Sequence, residues 1–210
     1  MSSKARYRLA VHEAGHAVVT LAEYLPLDFV TISSSLARTV SDHPMAAMTI
    51  GISRRANVFS EPSQEIRIVL AGMEAERQIL GWRNGGWRHM RPWGDTASMT
   101  ALLGSHGADH HDLFNLLEEV RRNAREAGKS DLEIEKTVKG FRHSQQIRCE
   151  RLVRRYRRQI EDVATALIER ETLNGSEVEA ICGDGFPQED GFAAAVEVAL
   201  AKAGLPPIKA

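Results

Sequence analysis

Apolar residues near the start of the chain recur at helical spacing. Val18, Val19, Leu21, Ala22 and Leu25 continue a stripe that stops at Pro26, whose ring removes an amide donor. Arg6 to Leu9 contain no helix breaker, so one helix is expected through this region. The period then changes. Leu27 to Ser34 alternates as a strand, and Ala46 to Ser53 alternates again, with Met48, Ile50 and Ile52 on one face. Ser41-Asp42-His43-Pro44 between them is a turn signal. The helical period returns after Ser60-Glu61-Pro62, where Ile66, Val69, Leu70 and Met73 form one face and Gly81 marks the end.

From Trp82 to Gly94 the pattern is lost among glycines, arginines and all three tryptophans, which reads as a loop. Thr96 to Leu103 starts another helix. Asp109 to Ala127 is helical, with Leu113, Leu116, Leu117 and Val120 on one side. Ser130 and Glu133 make a capping box that opens a long charged helix to about Leu173, closed by Asn174-Gly175. Ser176 and Glu179 predict a second box, and Phe192 to Ala203 a last short helix before Pro206-Pro207. The fold class expected is mainly α (α+β), with a small β-hairpin or sheet followed by a helical bundle.

Composition narrows this picture. The 210 residues are 43% hydrophobic and 26% charged, enough to bury one core without disulfides or metal staples. A formal net charge of −1 does not advertise a nucleic-acid or membrane partner. Cys149 and Cys182 lack C-x-x-C spacing and read as free thiols in a reducing, cytoplasmic setting. No apolar run approaches the ~20 residues that span a bilayer. Met1 to Lys4 is too polar and short for a signal peptide. No phosphate-binding G-x-x-x-x-G-K-[ST] occurs, so no nucleotide-driven motor is expected in the chain. The arginines at 148, 151, 154, 155, 157 and 158 interleave with Cys149, Leu152, Val153, Tyr156, Ile160 and Val163. That is an amphipathic helix with a basic outer face, suited to a protein partner or neighbouring subunit rather than a nucleic-acid groove.

The candidate chemistry lies in the first helix, at His12-Glu13-Ala14-Gly15-His16. Histidines four apart share one helix face and can hold one metal ion. A zinc ion there lowers the pKa of a coordinated water, and Glu13 is placed to take its proton as general base. Gly15 weakens the helix by roughly 1 kcal/mol relative to alanine; a glycine there suggests another segment passing close by. A catalytic zinc needs a third protein ligand and an open position. Glu74, Glu76, His89, Asp95 and the cluster His106, His110 and His111 are the candidates. Ligand chemistry alone leaves Glu76 and Asp95 both open. An exposed edge of the two-stranded hairpin could hold an extended peptide across the metal.

Four motifs resemble the peptidase domain of the FtsH family, the membrane-anchored ATP-dependent zinc proteases. They are His12-Glu13-Ala14-Gly15-His16-Ala17; Leu70-Ala71-Gly72-Met73-Glu74-Ala75-Glu76 with Gly81; Gly94-Asp95 with Thr100; and Glu171-Thr172-Leu173-Asn174-Gly175-Ser176-Glu177-Val178. Their order and approximate separation agree over residues 4–182; residues 1–182 are read as an FtsH-like, zincin-like peptidase domain and residues 183–210 as a C-terminal extension. The resemblance implies one Zn²⁺ per chain held by His12, His16 and Asp95, with Glu76 a supporting or packing residue. It implies a metalloendopeptidase acting on unfolded or flexible polypeptides. The family's ATPase module and membrane segment have no counterpart in these residues, so a separate ATPase or a homo-oligomeric ring is the expected partner. The loop before Asp95 departs from the family's G-A-x-x-D spacing. The rival expectation is a catalytically silent regulatory or assembly module with a structural metal site.

Overall fold

The first helix, α1 (Ser3–Ala22), runs through the centre of the core, and every residue from Leu9 to Leu21 is buried. The computed structural model describes residues 3–40, 52–55, 61–81, 107–184 and 186. Helices predominate among them, and a small antiparallel sheet completes a mainly α fold. After α1 come β1 (Leu27–Thr31), α2 (Ser34–Val40), β2 (Ile52–Arg55) and α3 (Pro62–Ile79). Then follow α4 (Gly107–Glu126), α5 (Asp131–Arg155), α6 (Arg157–Arg170), β3 (Thr172–Asn174) and α7 (Gly175–Cys182).

α1 is buried on all sides because α3 and α6 pack along it and β1 lies against it. Small residues permit the approach to α3. A Cβ on Gly15 would lie 2.8 Å from both the Ala71 carbonyl oxygen and the Ala75 Cβ. The close passage expected at this glycine is therefore that of α3. Val11, Val18 and Val19 are fully buried, each worth about 1.5–3 kcal/mol of transfer free energy. Arg67 of α3 ties the end of α1 to α5. Its Nε and Nη2 donate to the Glu23 carboxylate at 2.5 and 2.6 Å, and its Nη1 donates to Gln145 Oε1 at 2.5 Å.

The sheet order is β2-β1-β3, antiparallel throughout. Val30 faces Ser53 on one side and Leu173 on the other. Here the structure corrects the expected long helix. That helix breaks at Tyr156, a buried ring packed edge-on to Phe186 with centroids 4.8 Å apart. α6 then ends at Glu171, whose φ of 62° is left-handed, and residues 172–174 pair with β1 instead of continuing as helix. Ser34 begins α2 instead of closing a strand. The cap of α7 also lies two residues earlier than expected. Asn174 Oδ1 accepts from the Glu177 amide at 2.9 Å, and Glu177 Oε2 accepts from the Asn174 amide at 2.8 Å. The Ser130–Glu133 box is present as expected, with the Ser130 amide donating to Glu133 at 2.9 Å.

The arginine-rich helical region behaves as its pattern implied. Cys149, Val153, Tyr156, Ile160 and Val163 are buried, whereas Arg148, Arg151 and Arg154 are exposed. Among the described residues no helix is long and apolar enough to cross a membrane. Strand residues 46–51, the tryptophan-rich loop, the helix expected at 96–103 and the final helix expected at 192–203 lie outside the described residues.

Candidate metal centre

α1 presents His12 and His16 on one face, and their rings meet edge-on with centroids 4.6 Å apart. α3 fixes both rings from behind. His16 Nδ1 lies 2.7 Å from the Ile68 carbonyl oxygen, which can only accept, so Nδ1 carries the hydrogen. His12 Nδ1 lies 2.9 Å from Glu76 Oε1 and donates to that carboxylate. Each ring therefore keeps its lone pair on Nε2, and the two Nε2 atoms lie 3.0 Å apart. Gly72 of α3 makes room for them. A Cβ there would lie 2.4 Å from His16 Nε2 and 2.7 Å from His12 Nε2.

The third group comes from the first turn of α4. Asp109 Oδ2 lies 3.0 Å from His12 Nε2 and 3.4 Å from His16 Nε2. That oxygen is buried and has no hydrogen-bond partner among the described residues. Three donor atoms thus converge, an arrangement that repels unless a metal ion or a proton joins it. Donors about 2.0–2.1 Å from one tetrahedral ion lie roughly 3.3–3.4 Å apart, close to the spacing seen. Two imidazoles and one carboxylate form a donor set for zinc or another first-row divalent ion. His12, His16 and Asp109 are the group of this kind among the described residues.

The electrostatics without metal tell the same story. Burial disfavours a charged His12, but the Asp109 and Glu76 carboxylates outweigh it and push its pKa up to about 10. His16 is likewise raised, with burial opposing and Asp109 prevailing. Burial also opposes ionisation of Asp109, yet the two histidines hold its carboxyl well below the usual range. In the metal-free site a proton takes the place of the missing positive charge. Glu13 sits one residue round from His12, 5% exposed. Burial pushes its pKa up to about 7 against the pull of both histidines. It makes no hydrogen bond to the described residues, so its carboxylate is uncommitted.

The other candidates separate plainly. Asp95, His89 and His106 lie outside the described residues. Glu74 is buried but bound to Arg77 and Gln78. His111 is exposed and pairs with Asn115 at 3.1 Å, and the His110 side chain also lies outside the described residues. Glu76 supports His12 from the far ring nitrogen. The sequence reading gave no ligand role to Asp109. Its signal is a carboxylate at the start of the helix expected at 109–127, next to His110 and His111.

Fold and site together define a mainly helical domain with a buried two-histidine, one-aspartate group and a free carboxylate beside it. No profile of a known protein family matches the chain. It is 27% identical over 194 aligned residues to the ATP-dependent zinc metalloprotease FtsH 1 of Sorangium cellulosum (strain So ce56), covering 86% of this chain and 30% of that protein. It is 25% identical over 209 residues to the ATP-dependent zinc metalloprotease FtsH of Thermotoga maritima (strain ATCC 43589 / DSM 3109 / JCM 10099 / NBRC 100826 / MSB8), covering 89% and 32%. These matches support a distant FtsH-like relationship across most of the chain, which spans about a third of each relative.

Proposed function

We propose that this chain is a zinc-dependent endopeptidase domain, with His12, His16 and Asp109 as metal ligands and Glu13 as general base. The observation that carries this reading is the convergence of two imidazole Nε2 atoms and a carboxylate oxygen beside a buried glutamate. Asp109 takes the ligand role that the sequence resemblance gave to Asp95. A zinc ion held there supplies a Lewis acid that activates water and polarises a peptide carbonyl. Glu13 would accept the proton from the attacking water and pass it to the leaving amine. Glu76 and Ile68 hold the Nδ1–H groups of His12 and His16, which directs each Nε2 towards the metal site.

β2 at the edge of the sheet is the surface against which an extended peptide would pair. The names of the relatives favour polypeptide substrates, and unfolded chains would be cleaved most readily. Unfolding folded substrates would fall to a separate ATPase, or to an assembly that includes one.

The test is cleavage of casein by purified protein with one equivalent of zinc. Glu13→Gln should bind zinc normally and lose at least about 100-fold in rate, in line with the loss of a general base. Full cleavage by that variant would refute the assignment.

A further inference from the structure

We infer that Arg8 is a positioning residue for the metal centre, gripping Glu76 so that Glu76 can hold His12. The inference rests on the metal site proposed above but not on the reaction. Arg8 and His12 stand one turn apart on α1, and Glu76 of α3 bridges them. Its Oε2 accepts from Arg8 Nε at 2.5 Å, while its Oε1 accepts from His12 Nδ1 at 2.9 Å. The Glu76 side chain is 5% exposed and that of Arg8 31%. The carboxylate is thus fixed at both oxygens, and the guanidinium offsets a negative charge that burial would otherwise disfavour.

The two ligand histidines differ in this respect. His16 leans on the Ile68 main-chain carbonyl, which the α3 backbone fixes. His12 leans on a side chain that can rotate, and Arg8 closes off that rotation. With Arg8 removed, Glu76 loses its partner at Oε2 and the His12 Nδ1 hydrogen a firmly held acceptor. The ring then exchanges tautomers, and its Nε2 lone pair is no longer reserved for the metal. A simple clasp between α1 and α3 would have none of these consequences.

The experiment measures zinc affinity by competition with a chromophoric chelator, using the full chain and the variants Arg8→Met, Arg8→Lys, Glu76→Gln and the double variant Arg8→Met/Glu76→Gln. Arg8→Met should weaken zinc binding about 10- to 100-fold at unchanged stoichiometry, the usual cost of losing an outer partner of a ligand. Arg8→Lys should recover part of the loss. In the Glu76→Gln background Arg8→Met should add less than about threefold, because both act on one atom. Nitrogen-15 spectra of the zinc-loaded protein should show the His12 Nδ1–H signal broadened or shifted in Arg8→Met and the His16 signal unchanged. Affinity within about threefold of the wild type, with an unaltered His12 signal, overturns the inference. Additive effects in the double variant with a lowered melting temperature also overturn it, in favour of a clasp. A wild-type protein that takes no zinc removes the metal centre itself, whereas loss of peptidase activity alone leaves this inference standing.

Discussion

Gly72→Ala is a sharp test of how the metal centre is built. A single methyl group would enter the space between the imidazoles, 2.4 Å from His16 Nε2, 2.6 Å from His12 Cε1 and 2.7 Å from His12 Nε2. Ordinary contact is about 3.5 Å or more, so both rings must retreat by roughly 1 Å. A metal–nitrogen bond of about 2.0–2.1 Å tolerates errors near 0.2 Å, several-fold less than that displacement. The fold should survive. Position 72 is mid-helix, where alanine is better than glycine by up to about 1 kcal/mol, and the clash is with side chains that can turn. The expected result is a normally folded protein whose zinc affinity falls at least about 100-fold. Competition titration measures the loss directly, and thermal denaturation measures it by linkage. Zinc at about 100 times its Kd should stabilise the wild type by about 2.7 kcal/mol and leave the variant unmoved. Gly15→Ala is the control, since its methyl would strike the Ala71 carbonyl and Ala75, disturbing the α1–α3 contact before the donors. If Gly72→Ala bound one zinc per chain within about threefold of wild type, the donor arrangement deduced here would be wrong.

Two further predictions address the ligands and the charges. Asp109→Asn should abolish tight zinc binding, and Asp95→Asn should leave affinity within about threefold of wild type; the reverse result in a chelator titration would return the third ligand to Asp95. In metal-free protein, a His12 pKa raised to about 10 stabilises the fold fully below pH 6.5 and loses that contribution as pH climbs to about 10. Glu13, raised to about 7, likewise loses its contribution between pH 4.5 and 7. The metal-free melting temperature should therefore fall from pH 6 to 10, the fall should shrink in Asp109→Asn, and zinc should suppress it. A flat metal-free profile would refute the charge balance described for the site.

Much of this was legible in the residues because the determinants are local. The H-E-x-x-H spacing places two imidazoles on one face of any helix, and the glycine between them marked a neighbouring backbone before α3 was seen there. The periodicity at Ile66, Val69 and Leu70 located α3, and the arginine run resolved into a buried and an exposed face. Features created by tertiary pairing left a weaker trace. β3 has three residues, too few to show a period of its own, and it is a strand because Leu173 meets Val30 across the sheet. The helix break at Tyr156 has no proline or glycine to announce it. At the break a buried ring packs on Phe186, thirty residues later in the chain.

Asp109 was hidden for a different reason, which bears on how the site holds together. α4 packs mainly on α5 and α3, not on the helix that carries the histidines. Asp109 reaches the histidines because α3 locates both sides. That one helix supplies the Ile68 carbonyl to His16, Glu76 to His12, the clearance at Gly72, and the surface on which α4 rests. The recognisable motif lies in α1, but the geometry is built by α3. A metal ion shared by His12, His16 and Asp109 would then add a link between α1 and α4 that packing supplies only indirectly. Part of its binding free energy would appear as stability of the first turn of α4. Amides near Asp109 should therefore gain more hydrogen-exchange protection on zinc binding than those in the middle of α1, which burial already protects. Equal gains in the two places would mean that α4 is docked firmly without the ion.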